Sequence, residues 1–281
     1  MKTITTMTFL QRCCYATLIG LGLAAANGAY AQVNTIDSAV INTRIFNDNP
    51  GSTLSTKNSY SALVEISDTP TGGGFANLHN FHLAVAGVEY QFGNGEAFSF
   101  SADMTISGAG QGEAGLQLSP WWSPNVDGRF NFRTTDGEIA AFGGRLPFYS
   151  FTGSQGIIYT KGDTVSVGLD YDPNSLSMAD PATITYNLTI GATDYTSGPL
   201  AFDEGNPGED PPYGLWGHLN NARVGGYVQV FTGQSGAGNN LTAQWENITI
   251  VVPEPSTFVL LSLGILPLAL LLRRRRANPT L

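Results

Sequence analysis

Over much of the chain, apolar and polar residues alternate with a period of two. Phe98, Phe100, Met104 and Ile106 stand at even positions with polar residues among them, and Val165, Val167 and Leu169 repeat the pattern. So do Ile184, Tyr186, Leu188 and Ile190, and later Ala243, Trp245, Ile248 and Ile250 follow the same trend. A strand places successive side chains on opposite faces, so this pattern predicts strands with one buried face. Turn-forming clusters separate the runs: Gly72-Gly73-Gly74, Gly93-Asn94-Gly95, Asp172-Pro173-Asn174 and the glycine- and asparagine-rich stretch 236–240. Between the two ends of the chain no sustained 3.6-residue stripe and no fixed-period repeat occurs. That excludes helical bundles, propellers and solenoids and predicts an all-β sandwich or barrel.

The two ends follow different patterns. At the N-terminus, Lys2 and Arg12 lie near an apolar run at 16–26, and Ala29-Tyr30-Ala31 has the small-x-small form of a signal-peptidase site. Residues 1–31 therefore read as a signal peptide. At the C-terminus, Pro253, Glu254 and Pro255 precede an apolar stretch at 257–272 and four arginines at 273–276. As a helix that stretch spans roughly 24 Å, somewhat short of a ~30 Å hydrocarbon core, and Pro267 would kink it. The arginines would hold their end in the cytoplasm, leaving the preceding domain outside. This order resembles the PEP-CTERM sorting signal at 253–281. The resemblance implies an exosortase-type processing enzyme that reads the Pro253-Glu254-Pro255 box. It also implies membrane anchoring until processing, a final place at the cell surface or outside the cell, and exopolysaccharide in the surroundings. An ordinary single-pass anchor is the alternative.

Residues 32–252 are then the exported domain, long enough for one large sandwich. Both cysteines, Cys13 and Cys14, lie in the leader, so the domain must be stable without disulfides. The chain carries a net charge of −9, and six of its 13 basic residues are Lys2, Arg12 and the four C-terminal arginines. The exported part is thus more acidic than the whole, which excludes nucleic acid as a partner. A turn near Gly162-Asp163 leads to Leu169-Asp170-Tyr171, and a last strand carries Trp245, Ile248 and Ile250. This order looks like the concanavalin-like lectin and glucanase jelly roll, laminin-G-type domains included, over residues 41–251.

Several constellations touch chemistry, each with a plainer explanation. Gly110-x-Gly112-x-x-Gly115 matches a dinucleotide fingerprint by letter, but no helix follows it. Gly233-x-Ser235 lacks the final glycine of a hydrolase elbow and is expected in a surface loop. His79 and His82, three apart in a strand, face opposite sides and could share a metal only if the local backbone turned them together, so they and His218 read as structural. The paired carboxylates of a jelly-roll glycosidase do not occur at the expected spacing, and Asp203, Glu204, Glu209 and Asp210 read as a solvated acidic loop. Asp170, Asp172 and Asn174 begin like a calcium loop. Ser175 and Pro181 then depart from the standard motif, so an ordinary turn explains them as well.

Trp121, Trp122, Tyr213 and Trp216 are the candidate carbohydrate-binding residues. They fall in two irregular stretches, 119–128 and 201–216, and aromatic faces stack on sugar rings. Tryptophan filling a core or capping a sandwich edge is the plainer alternative. The reading is an exported, non-catalytic surface or matrix protein, with polysaccharide binding an open possibility. The alternative is a diverged jelly-roll glycoside hydrolase or polysaccharide lyase.

Overall fold

The computed structural model describes residues 36–205, 208 and 214–253. The leader with Ala29 and Ala31, Tyr213, Glu209 and Asp210, and the sorting segment from Glu254 onward, Pro255 and 257–272 included, lie outside them. Among the described residues no helix is long and apolar enough to cross a membrane.

The strands run in chain order β1 (Ser38–Asn47), β2 (Thr53–Ser59), β3 (Leu63–Thr69), β4 (Asn77–Val85), β5 (Val88–Glu89) and β6 (Phe98–Ser107). Next come β7 (Gly112–Ser119), β8 (Arg129–Arg133), β9 (Ile139–Phe142), β10 (Tyr149–Ser150) and β11 (Thr164–Asp172). The last are β12 (Thr183–Ile190), β13 (Thr193–Thr196), β14 (Leu200–Ala201), β15 (Arg223–Val230) and β16 (Leu241–Val251). Two short helices, α1 (Phe151–Gln155) and α2 (Thr232–Ser235), and a 3-10 turn, Leu215–Gly217, join them.

The strands form two 8-stranded antiparallel sheets. The first has the order β1-β4-β15-β7-β8-β9-β10, with β5 on β4; the second has β13-β12-β11-β6-β16-β3-β2, with β14 on β12. Sequence neighbours are split between the sheets, as in a jelly-roll sandwich, and the expected all-β class is the observed one. The four strongly alternating runs are β6, β11, β12 and β16. Their apolar sets (Phe98, Phe100, Met104; Val165, Val167, Leu169; Ile184, Tyr186, Leu188; Ala243, Trp245) are buried in one core.

Trp245 sits at the centre of that core. Its ring meets Phe81 of β4 edge-on, with centroids 5.1 Å apart at 70°. Its Nε1–H donates to the Gly115 carbonyl of β7 at 3.2 Å. A Cβ on Gly226 of β15 would stand 2.8 Å from the same indole, so that position holds glycine for want of room. One side chain of the second sheet thus rests on three adjacent strands of the first.

At one end the core is polar. Arg44 N–H donates to His79 Nδ1 (2.9 Å), which leaves the ring proton on Nε2 to face Asp68 Oδ2 at 3.3 Å. Asn77 Nδ2 bonds the same carboxylate oxygen at 2.7 Å. Burial disfavours the Asp68 anion, but the bonds from His79, Ser52 and Asn77 outweigh it and hold the carboxyl below its usual range. His79 is therefore structural, as expected from the sequence. Ser235, expected in a surface loop, is instead buried in α2, where its hydroxyl donates to the Gln111 and Phe231 carbonyls and accepts from Gln111 N–H.

Truncating Trp245→Ala should cost about 3–5 kcal/mol, and Trp245→Phe markedly less. Urea unfolding of the two variants checks this, and a loss below about 1 kcal/mol for Trp245→Ala would show that this side chain is not the bridging element.

Candidate functional site

Two features of the first sheet carry the site chemistry: its outer face, and the loop 119–128 that folds over it. Register places Asn80 and His82 of β4, Gly225, Tyr227 and Gln229 of β15, Glu113, Gly115 and Gln117 of β7, and Arg129 and Asn131 of β8 on that face. Asn80, His82, Gln117, Asn131 and Tyr227 are nonetheless fully buried. The loop lies against part of this face. Its carbonyls accept from the face: Asn125 O from Asn80 Nδ2 (3.3 Å), Val126 O from Arg129 Nε (2.8 Å) and Asp127 O from Gln117 Nε2 (3.4 Å).

The loop leaves and rejoins the sheet through a backbone pairing that only glycine permits. Leu118 N–H donates to Gly128 O at 2.8 Å, and Gly128 has φ +79°, where a Cβ would collide with Leu118 O at 1.8 Å. Within the loop, Ser123 N–H closes a turn on Pro120 O at 3.1 Å.

Charges on the face are compensated. Asn80 Nδ2 donates to His82 Nε2 (3.2 Å), so the ring proton lies on Nδ1 and is given to Glu89 Oε1 at 2.9 Å. Glu89 also accepts from Asn42 at 2.7 Å and pairs with Arg223 at 2.6 Å. The His82 bond, then Asn42 and the charges nearby, hold the Glu89 carboxyl down at about 2 against a partial burial penalty. Arg129 pairs with Glu113 at 2.7 Å and lies 4.7 Å from the centroid of the Tyr227 ring. Burial pushes Glu113 up in spite of Arg129, and burial likewise pushes the Tyr227 hydroxyl well up. That hydroxyl donates to Asn131 Oδ1 at 2.9 Å.

The loop's other side bears the two adjacent tryptophans, edge to face with centroids 6.0 Å apart at 87°. Trp122 is the root. It lines a small cavity of ≈ 20 Å³ with Leu118, Pro120, Leu146, Phe202 and His218 among its walls, too small for a sugar. Trp121 is 37% exposed and borders an open recess of ≈ 380 Å³ with Asn94, Asn220 and Asn221. Asn94 Nδ2 donates to Asn220 Oδ1 (2.6 Å), and Asn220 N–H returns a bond to Asn94 Oδ1 (2.9 Å). Asn220 and Asn221 have φ of 45° and 68°, left-handed conformations that asparagine tolerates. The recess therefore has a braced floor beside an exposed indole.

The candidates from the sequence separate here. Trp121 lies on the recess and Trp122 on the apolar cavity. Trp216, half-buried in the 3-10 turn with φ 50°, donates its backbone N–H to the Asp203 carbonyl at 2.9 Å and is not among the recess residues. Asp170 Oδ2 accepts from Asn187 (2.6 Å), Asp172 Oδ1 from Asn174 N–H (2.9 Å), and Asn174 Nδ2 donates to Pro181 O (2.8 Å). The first is a cross-strand bond between β11 and β12 and the other two belong to the connection after β11. Among the described residues no three His, Cys, Asp or Glu side chains gather as a metal would need. Asn220 and Asn221 were not singled out from the sequence, and Asn94 was read only as part of the Gly93-Asn94-Gly95 turn.

No protein-family model and no curated protein matches the chain. Among solved structures it is similar to the family-7 alginate lyase A1-II' (10% identity, 70% of this chain and 83% of that one, TM-score 0.41). It is also similar to arcelin-5, a lectin-like defense protein from Phaseolus vulgaris (12% identity, 79% and 96%, TM-score 0.38). A third is the family-18 polysaccharide lyase aly-SJ02 (8% identity, 76% and 94%, TM-score 0.32). At these scores the likenesses carry no argument about what this chain binds or does.

The depressed Glu89 sets a pH expectation. Its contribution to stability is complete above the ordinary value of 4.5 and is lost as pH falls toward about 2. Glu89→Gln should therefore lower the melting temperature at neutral pH and converge with the parent chain at acid pH. Melting curves that stay parallel across that window would contradict the assignment.

Proposed function

We propose that this chain is an exported cell-surface or matrix protein that binds polysaccharide without catalysis, at the recess beside Trp121. The observation that carries the reading is the exposed indole next to three asparagine side chains. A flat aromatic face covers the apolar face of a pyranose ring, and amides both donate to and accept from hydroxyls. The leader, the Pro253-Glu254-Pro255 box and the apolar and arginine segments after it support export and tail processing by an exosortase-type enzyme, with membrane anchoring beforehand.

The enzymatic alternative draws on His82, Tyr227, Arg129 and Glu113 sharing one sheet face, with Glu113 raised as a proton donor's carboxyl would be. Against it, His82 and Tyr227 are fully buried and their polar atoms are engaged with protein partners. A general acid or base must reach its substrate.

Trp121→Ala should lower retention on polysaccharide about tenfold or more, since stacking contributes roughly 1–3 kcal/mol per ring by analogy with base stacking, and leave the melting temperature nearly unchanged. Trp122→Ala, by contrast, should destabilise. Affinity electrophoresis with thermal denaturation reads both, and undiminished retention by a folded Trp121→Ala protein would remove the site. Release of reducing or unsaturated sugar by the parent chain would favour the enzyme.

Processing has its own readout. Intact-mass measurement on protein from the native host should give a chain starting near Gln32 and lacking residues after the Pro253-Glu254-Pro255 box. A mature species that keeps Arg273 would refute the sorting reading.

A further inference from the structure

The cover over the outer face is a loose match for what it covers. Of its three carbonyl contacts, two are long, 3.3 Å from Asn80 and 3.4 Å from Gln117, beyond the usual 2.7–3.2 Å range for N–H···O bonds. Apart from Arg223 Nε, which lies in ion-pair contact with Glu89 Oε2 at 2.6 Å, three polar atoms on the same face are buried with no hydrogen-bond partner: Asn80 Oδ1, Asn131 Nδ2 and Ser119 Oγ. One is an acceptor, one a donor and one can be either. A buried group without a partner is costly, so three on one sheet face are a site-like concentration.

These groups indicate the chemistry of a better occupant. The donors Asn80 Nδ2, Gln117 Nε2 and Arg129 Nε each approach a neutral oxygen of the loop, Asn80 Nδ2 while also bonding His82 Nε2 (3.2 Å) and Gln117 Oε1 (3.1 Å) within the face. The arginines of the face are already neutralised, Arg129 by Glu113, Arg133 by Asp136 and Glu138, and Arg223 by Glu89, and the chain as a whole is acidic. An anion would find no uncompensated charge among these groups. A ligand bearing many hydroxyls, each able to donate and accept, would satisfy both the donors now on the loop and the three atoms left over.

We propose that the tip of the loop, residues 123–127, is a built-in pseudo-ligand, and that the outer face beneath it is a second binding face for a neutral, hydroxyl-rich saccharide, opened when the tip is displaced. The anchors are compatible with such a movement. Trp122 stays rooted in its apolar cavity and Gly128 in its pairing with Leu118, while Val126 at the tip is 41% exposed and its N–H reaches Ser123 O only at 3.4 Å. This face is distinct from the Trp121 recess.

The test uses the full-length protein carrying Trp121→Ala, so that the recess does not contribute. Binding of cellohexaose, maltohexaose and laminarihexaose is measured by calorimetry, with hexagalacturonate as the charged comparator. Pro124→Gly frees the tip by enlarging the conformational freedom of the displaced state, and affinity for at least one neutral hexasaccharide should rise roughly threefold, with no rise for hexagalacturonate. Adding Asn131→Leu should cancel the gain; Gln117→Ala replaces it if that variant does not fold. Hydrogen exchange in residues 119–128 should speed up at saturating neutral saccharide, whereas a rigid cover would show no change or slow down. No measurable binding, an unchanged or lower affinity on Pro124→Gly, a gain that survives Asn131→Leu, or an equal gain for hexagalacturonate would each overturn the proposal.

Discussion

The contact on which the sandwich depends is the indole of Trp245 lodged between the sheets. A sandwich core is one layer of interleaved side chains about 10 Å thick, and its faces must stay in register for the apolar sets to meet. Trp245 meets that need with one ring: edge contact to Phe81 on β4, a hydrogen bond to β7 at Gly115, and close approach to β15 at Gly226. These strands are neighbours in the first sheet, and their outward residues form the polar face. The inward position of Trp245 and the outward positions of Asn80, Gln117 and Tyr227 are thus two sides of the same three strands.

Much of this was legible in the sequence because period-two alternation is a local signal. β6, β11, β12 and β16 could be read from their apolar positions, and so could the opposite directions of His79 and His82. β4 was not legible. Asn77, His79 and Phe81 face inward while Asn80 and His82 face outward under a loop, so polar residues occupy both sides and the alternation is erased. Its burial is set by partners on other elements, Asp68 of β3 within the core and the 119–128 loop outside. Ser235 was misplaced for the same kind of reason, because Gln111 and Phe231 decide its burial.

The site was half legible. Paired tryptophans in a proline-bounded stretch marked the 119–128 loop, but adjacency could not tell which indole would face solvent. The division follows from geometry: neighbouring residues in a compact turn point in different directions, so one ring roots the loop and the other is displayed. The asparagines beside Trp121 come from positions more than a hundred residues apart, joined by the bridge of Phe92 to Ala222 and by the reciprocal Asn94–Asn220 bonds. Juxtaposition at that separation depends on strand order, which no local pattern encodes.

Strand order has a temporal side as well. β16, the last strand among the described residues, does not lie at a margin of its sheet; it fills the middle, paired to β6 on one side and β3 on the other. Until it arrives, the second sheet exists as two unjoined halves and the first sheet has no indole to rest on. A chain made from its N-terminus therefore lacks the strand that joins β6 to β3 until nearly all of residues 36–251 are present. The keystone of the second sheet is the last piece to be supplied.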